Sequence, residues 1–144
     1  MIGKGDNLHQ LIYIDDLVNG LLKAAENDKA LGEVLLLVGE KPITTKQMVS
    51  TISSALGVSP PKFYAPLWPF MFMATLLELV LKPMGIQPPL HRRRMDFFKK
   101  NFSFQTKKAK KLIDFAPQHS FDQGVVETAL WYRQIGKLGI KTVK

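Results

Sequence analysis

The stretch GKGDNLHQLIYIDDLVNGLLKAAE, residues 3–26, decides how the chain is read. Residues 11–14 (LIYI) form a short apolar run and read as a strand. Asp15 and Asp16 follow, where carboxylates can cap the free N–H groups of a helix start and meet the positive end of its dipole. Leu17, Val18, Leu21, Leu22 and Ala25 then recur at helical spacing. The order is strand, cap, helix.

A second unit repeats this order. Residues 33–38 (EVLLLV) are a continuous apolar run of strand length, ended by Gly39. Continuous rather than alternating hydrophobicity suggests a strand covered on both faces, as in a parallel sheet. Thr44 and Gln47 stand at capping-box spacing, so each side chain can satisfy an orphan backbone donor. Met48, Val49, Ile52, Ala55 and Leu56 make one helical face, and Gly57 sits where a left-handed C-terminal residue belongs.

Further along, Pro60, Pro61 and Pro66 mark a stiff connection. Residues 67–81 are the most apolar stretch, interrupted by Pro69, Thr75 and Glu78. Pro69 is tolerated in a first helical turn. Pro83, Gly85, Pro88 and Pro89 break the pattern again. A basic stretch follows, interleaved with Phe97, Phe98, Phe102 and Phe104. The Phe102/Phe104 alternation reads as a strand with one buried face. Thr106 stands at the cap of a short helix over residues 107–113, closed by Phe115 and Pro117. Ser120 and Gln123 form a second capping box. The last helix carries Phe121, Val125, Ala129 and Tyr132 on one stripe, and Gly136 stops it.

A length of 144 residues with 46% hydrophobic content suits one compact domain with its own core. There is no cysteine, which excludes disulfides and thiolate metal sites and is compatible with a reducing compartment. The opening MIGKGDNLHQ lacks the apolar segment of a secretory signal. An intracellular location, cytoplasmic or membrane-associated, is therefore expected. The net charge of +8 resides in residues 91–111, which hold nine Lys/Arg and one acid, Asp96. Such a segment could meet nucleic acid, an anionic membrane or a phosphorylated ligand.

Several chemistries lack their residues. Dinucleotide binding needs a glycine-rich turn between a strand and a helix, where the backbone approaches the pyrophosphate. Gly3 and Gly5 are the only paired glycines, position 8 is Leu8, and no strand precedes them. Four positions after Tyr13, Tyr64 and Tyr132 stand Leu17, Trp68 and Gly136, so no Tyr-x-x-x-Lys is present. His9, His91 and His119 show no metal-ligand spacing. No nucleophile elbow is present for Ser–His–Asp chemistry.

Four blocks in order nevertheless carry a resemblance. GKGDNLHQLIYIDDLVNGLLKAAE resembles the "G-x-G-x-N … V-D-D" block of extended short-chain dehydrogenase/reductases, the NAD-dependent epimerase/dehydratase family. GEVLLLVGEKPITTKQMVSTISSALG is similar to the block that follows it. NFSFQTKKAKKLIDFAPQHSFDQGVVETALWYRQIGKL resembles the closing segment: a Lys-Ala helix, a "G-F-x-P" turn and a final helix ending in Trp-Tyr. Asp114 stands where the family usually has Gly in that turn. The apolar helix and Pro-rich linkers look most like the 3β-hydroxysteroid or sterol dehydrogenase and dihydroflavonol-reductase branch.

The resemblance implies an α/β fold: the C-terminal, substrate-side lobe, with two strand–helix units plus additional helices and the Rossmann half missing. A fragment, a truncated reading frame or an excised domain would account for that. As one unit over residues 1–144, the chain divides into two strand–helix units (1–57), Pro-rich linkers with an apolar helix (58–90), and a basic segment with closing helices (91–144). The full-length parent would be an NAD- or NADP-dependent oxidoreductase or epimerase acting on a hydroxyl or keto group of a sterol-like or nucleotide-sugar substrate. This chain alone is expected to bind no cofactor and to be inactive. Its two strands would add to the large sheet of the absent half, and without it would leave exposed edges.

Candidate functional residues are few. Asn7 and His9 lie in a polar loop that, by resemblance, can face cofactor or substrate; an ordinary loop hydrogen bond is the competing reading. Arg92 and Arg93, with Arg94, could clamp a phosphate, although consecutive helical residues point in different directions. Catalytic and metal-ligating residues are expected to be absent. Residues 67–81 as a helix would reach ~22 Å, short of the ~30 Å hydrocarbon core. They could lie in a membrane interface or form an apolar lid, with core packing the leading reading. Trp131 and Tyr132 read as packing for the last helix. The rival function is a non-enzymatic basic module that binds an anionic membrane surface or nucleic acid through residues 91–111. No RNA-binding motif accompanies that stretch, so nucleic acid is not expected.

Overall fold

The computed structural model describes residue 1, residues 3–87 and residues 92–138, with 92–95 described by backbone alone. The order is β1 (Leu8–His9), α1 (Ile14–Ala25), a 3-10 turn (Asp28–Ala30), β2 (Ile43–Thr44), α2 (Thr45–Leu56), α3 (Trp68–Leu81), α4 (Arg92–Lys99), α5 (Lys107–Ile113) and α6 (Phe121–Gln134). Two strand–helix units with four further helices make the α/β lobe expected.

The strands lie elsewhere than the apolar runs suggest. β1 and β2 are two residues each and pair antiparallel, Leu8 opposite Thr44 and His9 opposite Ile43. Residues 11–13 lead irregularly into α1, and residues 33–38 form no strand. A strand exists only through a ladder partner, and the described residues offer these runs none. Residues 33–38 still alternate: Leu35 and Leu37 pack inward while Val34, 78% exposed, and Leu36 face out. Phe102 and Phe104 also form no strand. The Phe102 N–H donates to the Leu8 carbonyl at 2.7 Å, and Phe102 is half-buried while Phe104 is exposed.

The helix ends follow local rules. Thr44 and Ser120 both make complete capping boxes, with Gln47 and Gln123 returning the bond. Gly57 takes the left-handed C-cap at φ 67°. Pro69 sits in the first turn of α3. Asp114 ends α5 at φ 47°, ψ 40°, the one non-glycine residue with positive φ among the described residues. The family's usual glycine at this turn thus has a backbone reason, since Asp adopts this conformation at a steric cost that Gly does not bear.

Asp15 and Asp16 do not cap α1. Tyr13 is the N-cap residue and makes no side-chain cap bond, which leaves both carboxylates inside the first turn. The core centres on Ala109, Ile113 and Phe115, with Ile12, Ala24, Leu35 and Leu37 packed around it. The α5 lysines Lys107, Lys108, Lys110 and Lys111 point to solvent, and Lys108 pairs with Glu33. Gly20 lets α1 close on Phe115: a Cβ there would stand 2.8 Å from the ring.

The face of α1 that reaches this core is not its apolar one. Asp16 and Gly20 are buried, while Ile14, Val18, Leu21 and Leu22 are exposed. Helical spacing finds the apolar stripe of α1 correctly but does not say what covers it. α3, expected chiefly to pack in the core, divides in a like way. Ala74 is fully buried, yet Trp68 and Leu79 are each 72% exposed, so core packing holds for one face only.

Candidate functional site

Two polar clusters and one cavity stand out. The first cluster is built on β1. Asn7 Nδ2 donates to the Phe97 carbonyl at 2.6 Å and lies 2.8 Å from His9 Nε2. Thr45, the first residue of α2, sends its hydroxyl to Asn7 Oδ1 at 2.9 Å and lies 3.0 Å from His9 Nε2. The Asn7 carbonyl accepts from the Thr45 N–H. His9 is 3% exposed, stacked on Phe97 at 4.2 Å and near Phe102. Burial lowers its pKa, because desolvation disfavours the imidazolium. A neutral ring at His9 is the form that can accept from the Asn7 amide.

Asn7 and His9 are therefore brought together by hydrogen bonds, and they form the inner clamp that fastens β1 to α2 and to the end of α4. Arg92 and Arg93 are on α4, whose Phe97 carbonyl Asn7 holds; their side chains lie outside the described residues, as does His91. The opposite side of the β1 segment is laced as well. Asn101 Oδ1 accepts from the Leu8 N–H, Gln10 Oε1 accepts from the Phe104 N–H, and Gln10 Nε2 donates to the Gly39 carbonyl.

The second cluster escaped the sequence reading. Asp16 is 3% exposed and accepts from the N–H groups of Gln118 and His119 and from His119 Nδ1. Burial pushes its carboxyl up, but these three bonds outweigh it and hold the pKa below its ordinary value. His119 is pushed the other way, chiefly by its bond to Asp16, against desolvation. The Tyr13 ring lies 4.7 Å from the His119 ring, and its phenol is raised first by a hydrogen bond to Glu127. A reader of the sequence sees only a carboxylate at a helix start; the partner lies 103 positions away.

Tyr13 and His119 also line a cavity of about 750 Å³ between α2 and α6. Its walls are apolar, with Ile52 and Leu56 on one side and Val125 and Tyr132 on the other. Gly124 allows Tyr13 to approach, since a Cβ there would meet the ring at 2.9 Å. This size is ordinary for a small-molecule pocket. Trp131 and Tyr132 stack edge to face at 4.9 Å and are half-exposed at its rim, so they pack the helix only in part.

Among the described residues, the paired glycines do not form a dinucleotide-binding turn. Gly3 and Gly5 both have φ of 75°, but they lead into β1 instead of a helix N-terminus. Among the described residues, no three His, Cys, Asp or Glu side chains converge as metal ligands.

The fold is similar to the C-terminal portion of nucleotide-sugar epimerases of known structure, and the curated proteins most similar in sequence include sterol and 3beta-hydroxysteroid dehydrogenases. The chain is 30% identical over 145 aligned residues to the mouse (Mus musculus) protein "Sterol-4-alpha-carboxylate 3-dehydrogenase, decarboxylating", covering 95% of this chain and 40% of that protein. It is 26% identical over 140 residues to Arabidopsis thaliana 3beta-hydroxysteroid-dehydrogenase/decarboxylase isoform 2, covering 89% of this chain and 25% of that one. Among solved structures, gox2253 superposes with a TM-score of 0.72 at 27% identity, over 92% of this chain and 39% of its own. The NAD complex of UDP-glucuronic acid 4-epimerase from Bacillus cereus superposes at 0.62 and 19% identity, over 94% of this chain and 34% of its own, which speaks for the fold alone. The chain spans about 40% of the length of its mouse relative. No protein-family model matches it.

Proposed function

We propose that this chain is the substrate-side lobe of an NAD(P)-dependent oxidoreductase or epimerase, completed by a nucleotide-binding half outside these residues. The observation that carries this reading is the outward apolar stripe of α1. Ile14, Val18, Leu21 and Leu22 are exposed on a helix whose buried face holds Asp16 and Gly20. Residues 33–38 add Val34 and Leu36, exposed on a strand-like run with no ladder partner. An uncovered helix stripe and an unpaired extended run are what a lobe presents when the sheet and helices that cover it are elsewhere.

The substrate in this reading is an apolar molecule with a hydroxyl or keto group, of sterol-like character; a nucleotide sugar is the other class. The names of the mouse and Arabidopsis relatives and the apolar lining of the cavity favour the first. Nicotinamide would accept or give the hydride, and the proton-handling Tyr-x-x-x-Lys pair would come from the other half. This lobe contributes pocket walls and excludes water. Asn7, His9, Arg92 and Arg93 are the candidates for substrate contact in this reading, with Asn7 and His9 held together beside Thr45.

The test begins with the coding DNA immediately upstream of the Met1 codon. An in-frame glycine-rich strand–helix turn and a Tyr-x-x-x-Lys are expected. The joined chain should then oxidise a 3β-hydroxysteroid with NAD or NADP, and the 144-residue chain alone should not. Turnover by the isolated chain above background, or unrelated upstream sequence, would overturn the reading. The rival basic-module reading predicts steeply salt-dependent binding to DNA or anionic vesicles through residues 91–111.

A further inference from the structure

We propose that His119 is the polar anchor of the cavity between α2 and α6, and that its Nε2 takes the hydroxyl of an apolar ring compound. The inference deepens the substrate-side reading and rests on it in one respect, that this cavity is a ligand wall of the lobe. The His119 ring lines the cavity. Its Nδ1 lies 3.0 Å from Asp16 Oδ1. An ionised carboxylate only accepts, so Nδ1 carries the hydrogen of that bond. Nε2 is then the open polar atom of the ring, and among the described residues nothing bonds it. The other polar side chains of the inner wall are engaged. Tyr13 bonds to Glu127, Ser120 Oγ accepts the Gln123 N–H, and Thr128 Oγ1 donates to the Gly124 carbonyl at 2.6 Å. Trp131, Tyr132 and Lys137 line the cavity too, but they are exposed and water reaches their polar atoms.

The chemistry of the ring selects the ligand group. When His119 is neutral, Nε2 is a bare acceptor; when it is protonated, Nε2–H is a donor. A hydroxyl serves both forms, donating to the first and accepting from the second. A ketone or ether oxygen only accepts, so it matches the imidazolium alone. A carboxylate fits worse. Asp16, Glu127 and Asp15 already place negative charge around the ring, against which the lining sets only the exposed Lys137. The body of the ligand is read from the rest of the wall. Ile52, Leu56 and Val125 are aliphatic, and Tyr13, Phe121 and Tyr132 add aromatic surface on which a ring system packs. One placed polar group in an otherwise apolar pocket is how small-molecule sites fix orientation.

Calorimetric titration of the full chain with naphthalene, 2-naphthol and 2-methoxynaphthalene tests this. It uses no cofactor and reads no turnover, so its failure and that of the oxidoreductase reading are separate results. 2-Naphthol should bind about fivefold tighter than naphthalene on either side of the His119 titration. 2-Methoxynaphthalene, which only accepts, should match 2-naphthol below that titration and naphthalene above it. On binding 2-naphthol the ring protons of His119 should shift in the NMR spectrum, and those of His9 should not. His119→Asn keeps a donor for Asp16 but lacks Nε2, so it should lower 2-naphthol affinity about fivefold and leave naphthalene unchanged. Val125→Phe should fill the cavity and weaken all three. Circular dichroism checks that each variant keeps its helices; if one unfolds, the ligand series on the unaltered chain decides. Equal affinity for 2-naphthol and naphthalene would overturn the proposal, as would tighter binding of 2-naphthoate, no binding at all, or binding that Val125→Phe leaves unchanged in a folded chain.

Discussion

The carboxylate of Asp16, in the first turn of α1, holds His119 twice: Oδ2 accepts its backbone N–H at 2.9 Å and Oδ1 its imidazole at 3.0 Å. With the Gln118 N–H on Oδ1, one buried side chain orders the loop that leads into the Ser120 capping box of α6. Asp16 is thus the tie between the first helix and the last. Its place in the V-D-D-like block gains a physical reason, because an acceptor with several lone pairs is needed there.

Asp16→Ala should destabilise the chain by about 2–4 kcal/mol, since it strands buried backbone donors. Asp16→Asn, which keeps one acceptor, should cost less than Asp16→Ala. Urea unfolding followed by circular dichroism measures both. Equal losses for the two variants would show that packing, and not hydrogen bonding, is what Asp16 supplies.

The two described histidines should titrate in opposite directions from 6.5. The buried His9 takes its proton only below that value. Its contribution to stability is therefore lost as pH falls below 6.5, where the unfolded chain binds a proton that the folded one refuses. His119, raised by Asp16, contributes stability below 6.5 that disappears as pH rises through its folded value. Asp16, lowered, contributes above 3.8 and loses that as pH falls through its folded value. NMR of the ring protons resolves the two histidines, and Asp16→Asn should move His119 back toward 6.5 without touching His9.

Gly39→Ala should be among the most damaging single-methyl changes. A Cβ at that position would stand 1.9 Å from the Leu11 carbonyl oxygen, which is backbone and cannot rotate away. Overpacking of this kind costs typically about 1–3 kcal/mol, and the Gln10 bond to the Gly39 carbonyl would be strained as well. Gly85→Ala is the control for added bulk, since nothing lies within 4 Å there, although φ of 71° still strains Ala. Thermal melts compare the two, with the larger loss expected at Gly39.

Asp114→Gly should raise stability by about 0.5–1 kcal/mol by relieving the left-handed C-cap of α5. Thr44→Ala and Ser120→Ala should each cost about 1 kcal/mol through loss of a capping box. A rise in melting temperature for the first and falls for the others would show that local backbone chemistry sets these helix ends.

The local features were legible because they depend on near neighbours. Both capping boxes, the Gly57 C-cap, the first-turn Pro69 and the helices they bound follow from residues three or four positions apart. The fold class and the dehydrogenase likeness came from four motif blocks in order, read without the fold. What the sequence could not place was anything requiring a partner. The apolar runs at 11–14 and 33–38 have strand composition, but a strand needs a second chain segment to accept its N–H groups. The stripe on α1 was found, but not that it faces outward, and core packing, the leading reading for residues 67–81, holds for one face of α3 only. Asp16 looked like a cap because its real partners, Gln118 and His119, lie at the far end of the chain. Periodicity determines which residues share a face; only the tertiary structure decides what that face meets.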